Sequence, residues 1–482
     1  MVMGDLPMET QLVVLGDGPG GYAAAFRAAD LGFDVTLVSA EERMGGVCLL
    51  RGCIPSKALL HLAEIGAMAA EAGAMGLDLG RQQDPPVWDL QRVRDWTDGV
   101  VEQLTDGLAE LCERRGIQRI RGRGRLDGPK RLLLSDAEYS SIEFEHAIIA
   151  TGSRPAALPG IEPGAAGRIM DSSGALALAD LPERLLVVGG GYVGLELGSV
   201  YAAAGSRVTL IEMADRLLPG ADADLVEPLH ARLEGSFESI RLKTRIESAE
   251  EANDRVQVSL TGPDGSDQAT FDRVLVAVGR RPNSDELGLD AAGVDTDEAG
   301  YIRVDAERRT SAKQIFAIGD VAGGQQLAHE AMAEGKVAAA VIAGRPAAFD
   351  PRAVPAVVYT DPQVVWCGLT ETEAEAQDVE VRISRFPWRA SGRALTLGAA
   401  DGLTKLVMEP DSGRVLGFGA VGRGAETLVA EAMLAVEMGA VAEDLALAVH
   451  PHPTLSETLA EAAERFLARP THLAPGGASG TE

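Results

Sequence analysis

Cys48 and Cys53 lie on either side of four residues in GGVCLLRGCIPSK, with glycines around them and Pro55 just after. Two thiols at this spacing can close a small disulfide loop if the backbone brings their α-carbons within about 7 Å. A helix starting here would put Cys53 near its N-terminus, where the peptide dipoles favour a thiolate. The same residues also fit two ordinary packing cysteines, because free cysteine is among the most buried residue types. No zinc-type second pair accompanies them. Far along the chain, HPHPTLSE places His452 five residues before Glu457, with proline on both sides of the histidine. Histidine titrates near neutrality and suits a base that accepts a thiol proton. An isolated histidine in a proline-rich turn is otherwise a surface residue, and His450, with no comparable partner in sequence, reads as one. Cys112 and Cys367 read as packing residues.

The elements around such a pair read as machinery for moving electrons, and one unit is written twice. Residues 11–15 form a short apolar strand that runs into Gly16, Gly18 and Gly21 in the Gly-x-Gly-x-x-Gly places. Residues 22–31 then read as an alanine-rich helix and 35–38 as a second strand. These glycines permit a tight turn, close approach to a pyrophosphate and close helix–strand packing. The helix N-terminus faces the phosphates with free N–H groups. The unit recurs as a strand at 185–188, Gly189, Gly191 and Gly194, a helix through 201–204, and a strand at 208–211 ending at Glu212. Two dinucleotide-binding units in one chain are most simply assigned to a flavin and a nicotinamide. Glu212 lies where a carboxylate accepts from a ribose 2′-OH, with no adjoining arginine for a 2′-phosphate, which favours NAD over NADP. The equivalent place in the first unit holds Ser39, a weaker acceptor, with Glu41 or Glu42 as nearby substitutes.

Between the units, residues 88–115 read as a long polar-faced helix and 119–134 as short strands with glycine turns. The phrases ATGSRP, with Thr151 and Gly152, and AVGRRPN, at 277–283, look like the entry to and exit from an inserted nicotinamide domain. TSAKQIFAIGD ends at Asp320, an aspartate suited both to ribityl hydroxyls and to capping the helix that follows. From about Arg352 the pattern changes to antiparallel strands at 357–359, 364–365, 381–386, 404–408 and 415–420. Helices at 425–437 and 441–447 follow. The expected fold is α/β, with two Rossmann-like dinucleotide-binding domains plus a C-terminal α+β dimerisation domain. The flavin domain would occupy 8–154 and 281–351, the nicotinamide domain 155–280 and the dimerisation domain 352–469, with a disordered tail at 470–482.

The 482 residues are 46% hydrophobic and 24% charged, enough for several globular cores. A net charge of −28 opposes binding to nucleic acid or anionic membranes, which requires cationic patches. No apolar run reaches the length of a membrane span, and the N-terminus has no signal or transit character, so the cytoplasm is expected. Four cysteines in so long a chain argue against a structural disulfide framework.

Taken in order, GGVCLLRGCIPSK, the two glycine turns, IFAIGD and HPHPTLSE make the chain resemble the flavoprotein disulfide reductases across about residues 10–468. The resemblance is nearest to their dihydrolipoyl dehydrogenase branch. It implies a homodimer with FAD and NAD that oxidises dihydrolipoyl groups. Those groups would sit on a lipoyl-bearing acyltransferase or carrier protein of a 2-oxoacid dehydrogenase or glycine-cleavage system. It also implies a Cys48–Cys53 disulfide, with Cys53 the thiolate against the flavin and Cys48 the thiol that exchanges with substrate. His452 would be the base and Glu457 its orienting carboxylate, both reaching the disulfide of the other subunit. Lys57 and Glu196 match a pair near the flavin ring. Gly124, Thr151, Gly152, Ser153, Asp320, Gln326, Leu327, Ala328 and His329 match flavin contacts, and Gly279 a nicotinamide contact. Three places depart from the family pattern: Ser39 for an acidic residue, Leu50–Arg51 for Asn–Val, and Pro451 for a small residue. Nicotinamide-linked reduction of glutathione-like or other low-molecular-weight disulfides is opposed by Glu212, by Leu455–Ser456 and by the lack of a basic pocket signature. Mercuric reduction would need a C-terminal cysteine. The complete Cys–Cys–His–Glu set opposes a non-catalytic flavin-binding subunit or redox sensor.

Overall fold

In the computed structural model, which describes residues 7–77, 87–161 and 167–474, the apolar run Leu12–Leu15 is buried within a largely parallel sheet. Strand Pro7–Leu15 pairs in parallel with Val35–Ser39 on one side and Ser141–Ile149 on the other. Gln118–Arg121 extends the first edge, and Ile315–Ala317 pairs in parallel with the end of Ser141–Ile149. Because that last strand follows the second glycine unit, the chain leaves this sheet and returns to it. Helices Pro19–Asp30 and Ala328–Ile342 cover one face and pack backbone to backbone. A Cβ on Gly335 would come within 2.6 Å of the Gly20 carbonyl.

The second sheet is parallel throughout, in the order Ser239–Arg241, Arg207–Ile211, Arg184–Val188, Arg273–Val276, Ile169–Met170. Arg245–Ala252, Arg255–Gly262 and Gly265–Phe271 add an antiparallel sheet that the sequence reading left unassigned. The two crossings between sheets pair with each other, Ser153–Pro155 antiparallel to Arg280–Pro282.

The C-terminal region is an antiparallel sheet in the order Ala356–Val358, Gln363–Gly368, Val415–Gly422, Leu403–Met408, Arg382–Pro387. Its core includes Leu428, Ala432 and Ala435 of helix Glu426–Met438, and Leu459, Ala462 and Phe466 of helix Glu457–Phe466. The long polar helix runs Leu90–Arg114, and the Asp89 side chain caps it by accepting from the Arg92 N–H. Of the tail expected to be disordered, 475–482 lies outside the described residues, while Thr471 donates to Glu464 at 2.9 Å and His472 meets Glu461 at 2.5 Å. Among the described residues no helix is long and apolar enough to cross a membrane.

Candidate active site

Glycine geometry brings the two thiols together. Gly45 and Gly46 adopt φ of +114° and +58°, which L side chains avoid. A Cβ on Gly46 would come within 2.7 Å of the Gly18 Cα, so the cysteine segment docks directly on the first glycine turn. The short helix Gly46–Arg51 carries Cys48, and Cys53 is the first residue of helix Cys53–Ala72. Between them, a Cβ on Gly52 would lie 2.7 Å from the Val47 carbonyl and 3.2 Å from the Cys48 Cα. Only a bare backbone lets the second helix start this close to the first.

Both cysteines are free thiols set close enough to perturb one another. The neighbouring Cys48 thiol, the Lys57 ammonium and the local backbone N–H lower the Cys53 thiol against the cost of burial. The Cys53 sulfur, together with burial, pushes Cys48 above the usual thiol range. The surroundings thus favour ionisation at Cys53 over Cys48. Lys57 Nζ lies 2.7 Å from Glu196 Oε2, which also accepts from Ser56 Oγ at 3.0 Å. The other Glu196 oxygen accepts the Tyr359 N–H at 3.0 Å, so this buried carboxylate is fully engaged.

These groups line a cavity of 1150 Å³ that extends back to the first glycine turn. Of the residues expected at a flavin site, Gly16, Gly18, Ser39, Lys57, Gly124, Thr151, Gly152, Ser153, Glu196, Asp320, Gln326 and Ala328 line it alongside both cysteines. Gly21 lies beneath its floor, where a Cβ would come within 1.9 Å of the Gly16 carbonyl. Leu327 and His329 do not line it. Leu327 is the residue from which helix Ala328–Ile342 starts, and His329 is turned outward, bonding the Pro355 carbonyl at 2.8 Å.

Arg280 was missed from sequence. Its Nε donates to Ser153 Oγ at 2.6 Å and its Nη2 to the Ser153 carbonyl at 2.8 Å, while Ser153 Oγ donates to Asp320. The pairing of the two glycine phrases was the available signal, since it sets Arg280 opposite Pro155. Tyr192 and Asp17, also unassigned from sequence, line the cavity too.

The cavity fits an extended dinucleotide. Helix Pro19–Asp30 starts at Gly18 with no side-chain cap, leaving its first N–H groups for an anion. A Cβ on Gly18 would have only Gly46 Cα near it, at 4.0 Å. One buried carboxylate oxygen, Asp17 Oδ2, has no partner among the described residues.

The second unit repeats this construction. A Cβ on Gly16 (φ +107°) would strike the Ala150 carbonyl at 2.2 Å, and one on Gly189 (φ +111°) the Ala277 carbonyl at 2.4 Å. Gly194 lies against Gly189 as Gly21 lies against Gly16, and Gly191 begins an uncapped helix, Tyr192–Ala203. Glu212 accepts the Gly190 N–H at 2.6 Å and the Ala214 N–H at 2.7 Å, while Arg216 is turned to the Pro219 carbonyl. Gly279, at φ +123°, accepts the Ala156 N–H at 2.9 Å. Helix Tyr192–Ala203 serves both places, because Tyr192 and Glu196 face the first cavity while its N-terminus belongs to the second turn.

His452 and Glu457 are not among the residues lining the cavity of their own chain. His452 Nδ1 lies 2.9 Å from Glu457 Oε1, and Glu457 Oε2 accepts the Thr454 N–H at 2.8 Å. Against the upward pull of partial burial, these two partners hold the Glu457 carboxyl below its ordinary range. The His452 side chain is 74% exposed. His450, which had no evident partner in sequence, meets Glu431 at 2.8 Å.

Residues 10–335 match the family described as pyridine nucleotide-disulphide oxidoreductase, and 354–463 match its dimerisation domain. The chain is 44% identical over 461 residues to a dihydrolipoyl dehydrogenase of Vibrio parahaemolyticus, covering 95% of this chain and 96% of that one. It is 45% identical over 477 residues to a dihydrolipoyl dehydrogenase of Halobacterium salinarum, covering 98% and 99%. Among solved structures it superposes on LpdA of Mycobacterium tuberculosis with a TM-score of 0.87 at 28% identity, covering 95% of this chain and all of that one. On the Escherichia coli flavoprotein disulfide reductase RclA the TM-score is 0.82 at 26% identity, covering 93% and 98%. With a facing thiol pair, two glycine turns built alike and matches over nearly its whole length, the chain belongs to the pyridine nucleotide-disulphide oxidoreductase family.

Proposed function

We propose that this chain is a dihydrolipoyl dehydrogenase that oxidises protein-bound dihydrolipoyl groups and reduces NAD. The observation that carries the reading is the Cys48–Cys53 pair, set with Lys57 at the end of a dinucleotide-sized cavity that reaches the first glycine turn. In the oxidised state the two sulfurs would form a disulfide. His452, oriented by Glu457, accepts a proton from one substrate thiol, and the resulting thiolate attacks the Cys48 sulfur. The S–S bond breaks and Cys53 leaves as a thiolate, stabilised by Lys57 and the helix N-terminus. The second substrate thiol then attacks the substrate sulfur bonded to Cys48, its proton passing to the departing Cys48 sulfur. This leaves the substrate as a cyclic disulfide, Cys48 as thiol, Cys53 as thiolate and the first proton on His452. The first glycine turn and the cavity residues would hold FAD, which when bound would supply two-electron chemistry between dithiol and nicotinamide.

NAD is assigned to the second turn because Glu212 would meet a free 2′-OH and repel a 2′-phosphate. The matched dimerisation domain supports a homodimer in which His452 serves the cysteine pair of the other copy. The natural substrate would be a lipoyl-bearing acyltransferase or carrier protein, and the working compartment the cytoplasm. Turnover with dihydrolipoamide against NAD and NADP, with glutathione disulfide and NADPH as the control pair, tests the reading. Fast NAD-linked oxidation of dihydrolipoamide is expected, and preferential glutathione disulfide reduction would overturn it.

A further inference from the structure

The two glycine turns differ in where their carboxylate stands. Position 17 in the first unit corresponds to Gly190 in the second, and Ser39 corresponds to Glu212. In the second unit a Cβ built on Gly190 would lie 2.7 Å from Leu217 Cδ2 and 3.2 Å from both Glu212 Cβ and Glu212 Oε2, so a side chain at this turn position sits against the strand-end residue. In the first unit that side chain is present, and it is an aspartate. Asp17 is 3% exposed, lines the cavity beside Ser39, and keeps Oδ2 buried without a partner among the described residues. The substitutes that sequence offered for the missing strand-end acid are otherwise placed. Glu41 is bound by Arg51 Nη2 at 2.5 Å, which also gives that unusual arginine a role, and Glu42 is exposed beside Arg121.

We infer that Asp17 is the ribose-binding carboxylate of the first unit, moved from the strand end to the turn, with Ser39 beside it as the neutral partner. Burial raises the Asp17 carboxyl to about 6, a cost that the Ser39 hydroxyl and Arg119 offset only in part while Glu41 adds to it. Donation from a ribose hydroxyl would supply the missing stabilisation of the charged form. The two units would thus place the same charge at one point in space from opposite positions in sequence.

This inference rests on FAD occupying the first unit, and the test separates the two. Apoprotein is titrated with FAD and with its 2′-deoxyadenosine analogue, following flavin fluorescence, for wild type, Asp17→Asn, Ser39→Glu and the exchange Asp17→Gly/Ser39→Glu. Wild type should prefer FAD over the analogue about tenfold, the difference a charge-assisted hydrogen bond makes. Asp17→Asn, which keeps the shape, should weaken FAD by a similar factor and abolish the preference. Ser39→Glu alone should also weaken FAD, since it crowds two carboxylates into one place. The exchange, which copies the second unit, should restore affinity and preference to within about threefold of wild type. An Asp17→Asn protein that still prefers FAD as wild type does, or a Ser39→Glu protein that binds FAD more tightly, would overturn the role of Asp17 alone. Wild-type apoprotein that binds no FAD would overturn the flavin assignment with it.

Discussion

Lys57 and Glu196 form one ion pair yet act on the Cys53 thiol with opposite sign. The largest influence on Cys53 is the neighbouring Cys48 thiol, but the ammonium also lowers it and the carboxylate raises it. In reduced apoprotein, titrated by ultraviolet thiolate absorbance, Lys57→Met should move the Cys53 midpoint up and Glu196→Gln should move it down. Movement in one direction for both would mean that loosened packing, not charge, controls the thiol. In the second unit, Glu212→Ala removes the expected ribose acceptor and leaves the Gly190 N–H without its partner. NAD should bind about tenfold more weakly, read as KM against kcat, with flavin retention unchanged. The placements legible in sequence were local ones, as Cys48 and Cys53 on one cavity or His452 against Glu457 are. Arg280 acts on Ser153 across 127 positions, and Asp17 matters only beside Ser39, so neither forms a motif in a single sequence.

At the scale of elements, the repeated strand–turn–helix units were readable because glycine spacing, strand polarity and helix composition agree within one short stretch. Their glycines also show which contacts are backbone contacts. Gly52→Ala would press a methyl group on the Val47 carbonyl and the Cys48 Cα, prising apart the two helices that bring the thiols together. We expect a loss of about 1–3 kcal/mol in apoprotein stability by denaturant unfolding, with slower formation of the disulfide. Gly73→Ala, where a Cβ has open space near the far end of the same helix, is the control and should change neither. The antiparallel sheet at 245–271 escaped the sequence reading for a physical reason. Arg255–Gly262 alternates buried Val256, Val258 and Leu260 with more exposed neighbours, but its flanking strands bury little beyond Ala249 and Phe271. A strand with so little apolar surface has no strong period of its own. Element ends shifted by a residue or two where a cap decides them, as Asp89 does for Leu90–Arg114.

Across the whole molecule, buried charge joins the regions that glycine turns and sheets define separately. Lys405, on the C-terminal sheet and 1% exposed, lies 2.7 Å from both Asp222 and Asp224 at the start of helix Ala223–Glu234 and 3.2 Å from Glu371. Lys405→Met would leave the buried Asp222 carboxylate with its Glu371 and Thr372 hydrogen bonds but without the lysine's charge, costing about 3 kcal/mol in thermal unfolding, while Lys405→Arg with Asp224→Asn should recover part of it. That network sets the C-terminal sheet firmly on the second unit, and the same sheet carries the helix that begins at Glu457. His452 is thereby anchored through Glu457, and it is not among the residues lining the cavity of its own chain. His452 is 74% exposed, its Nδ1 is engaged by Glu457, and its Nε2 has no partner among the described residues. If His452 is the base proposed above, a second copy must bring the cysteine pair to it. Cys48→Ser and His452→Ala chains should each be inactive as homodimers. Mixed dimers carrying one chain of each kind retain one intact pair facing one intact histidine, and so should regain about half the activity of wild type. Verified heterodimers that stay inactive would place the base and the pair within one chain and remove the reason for an obligate dimer.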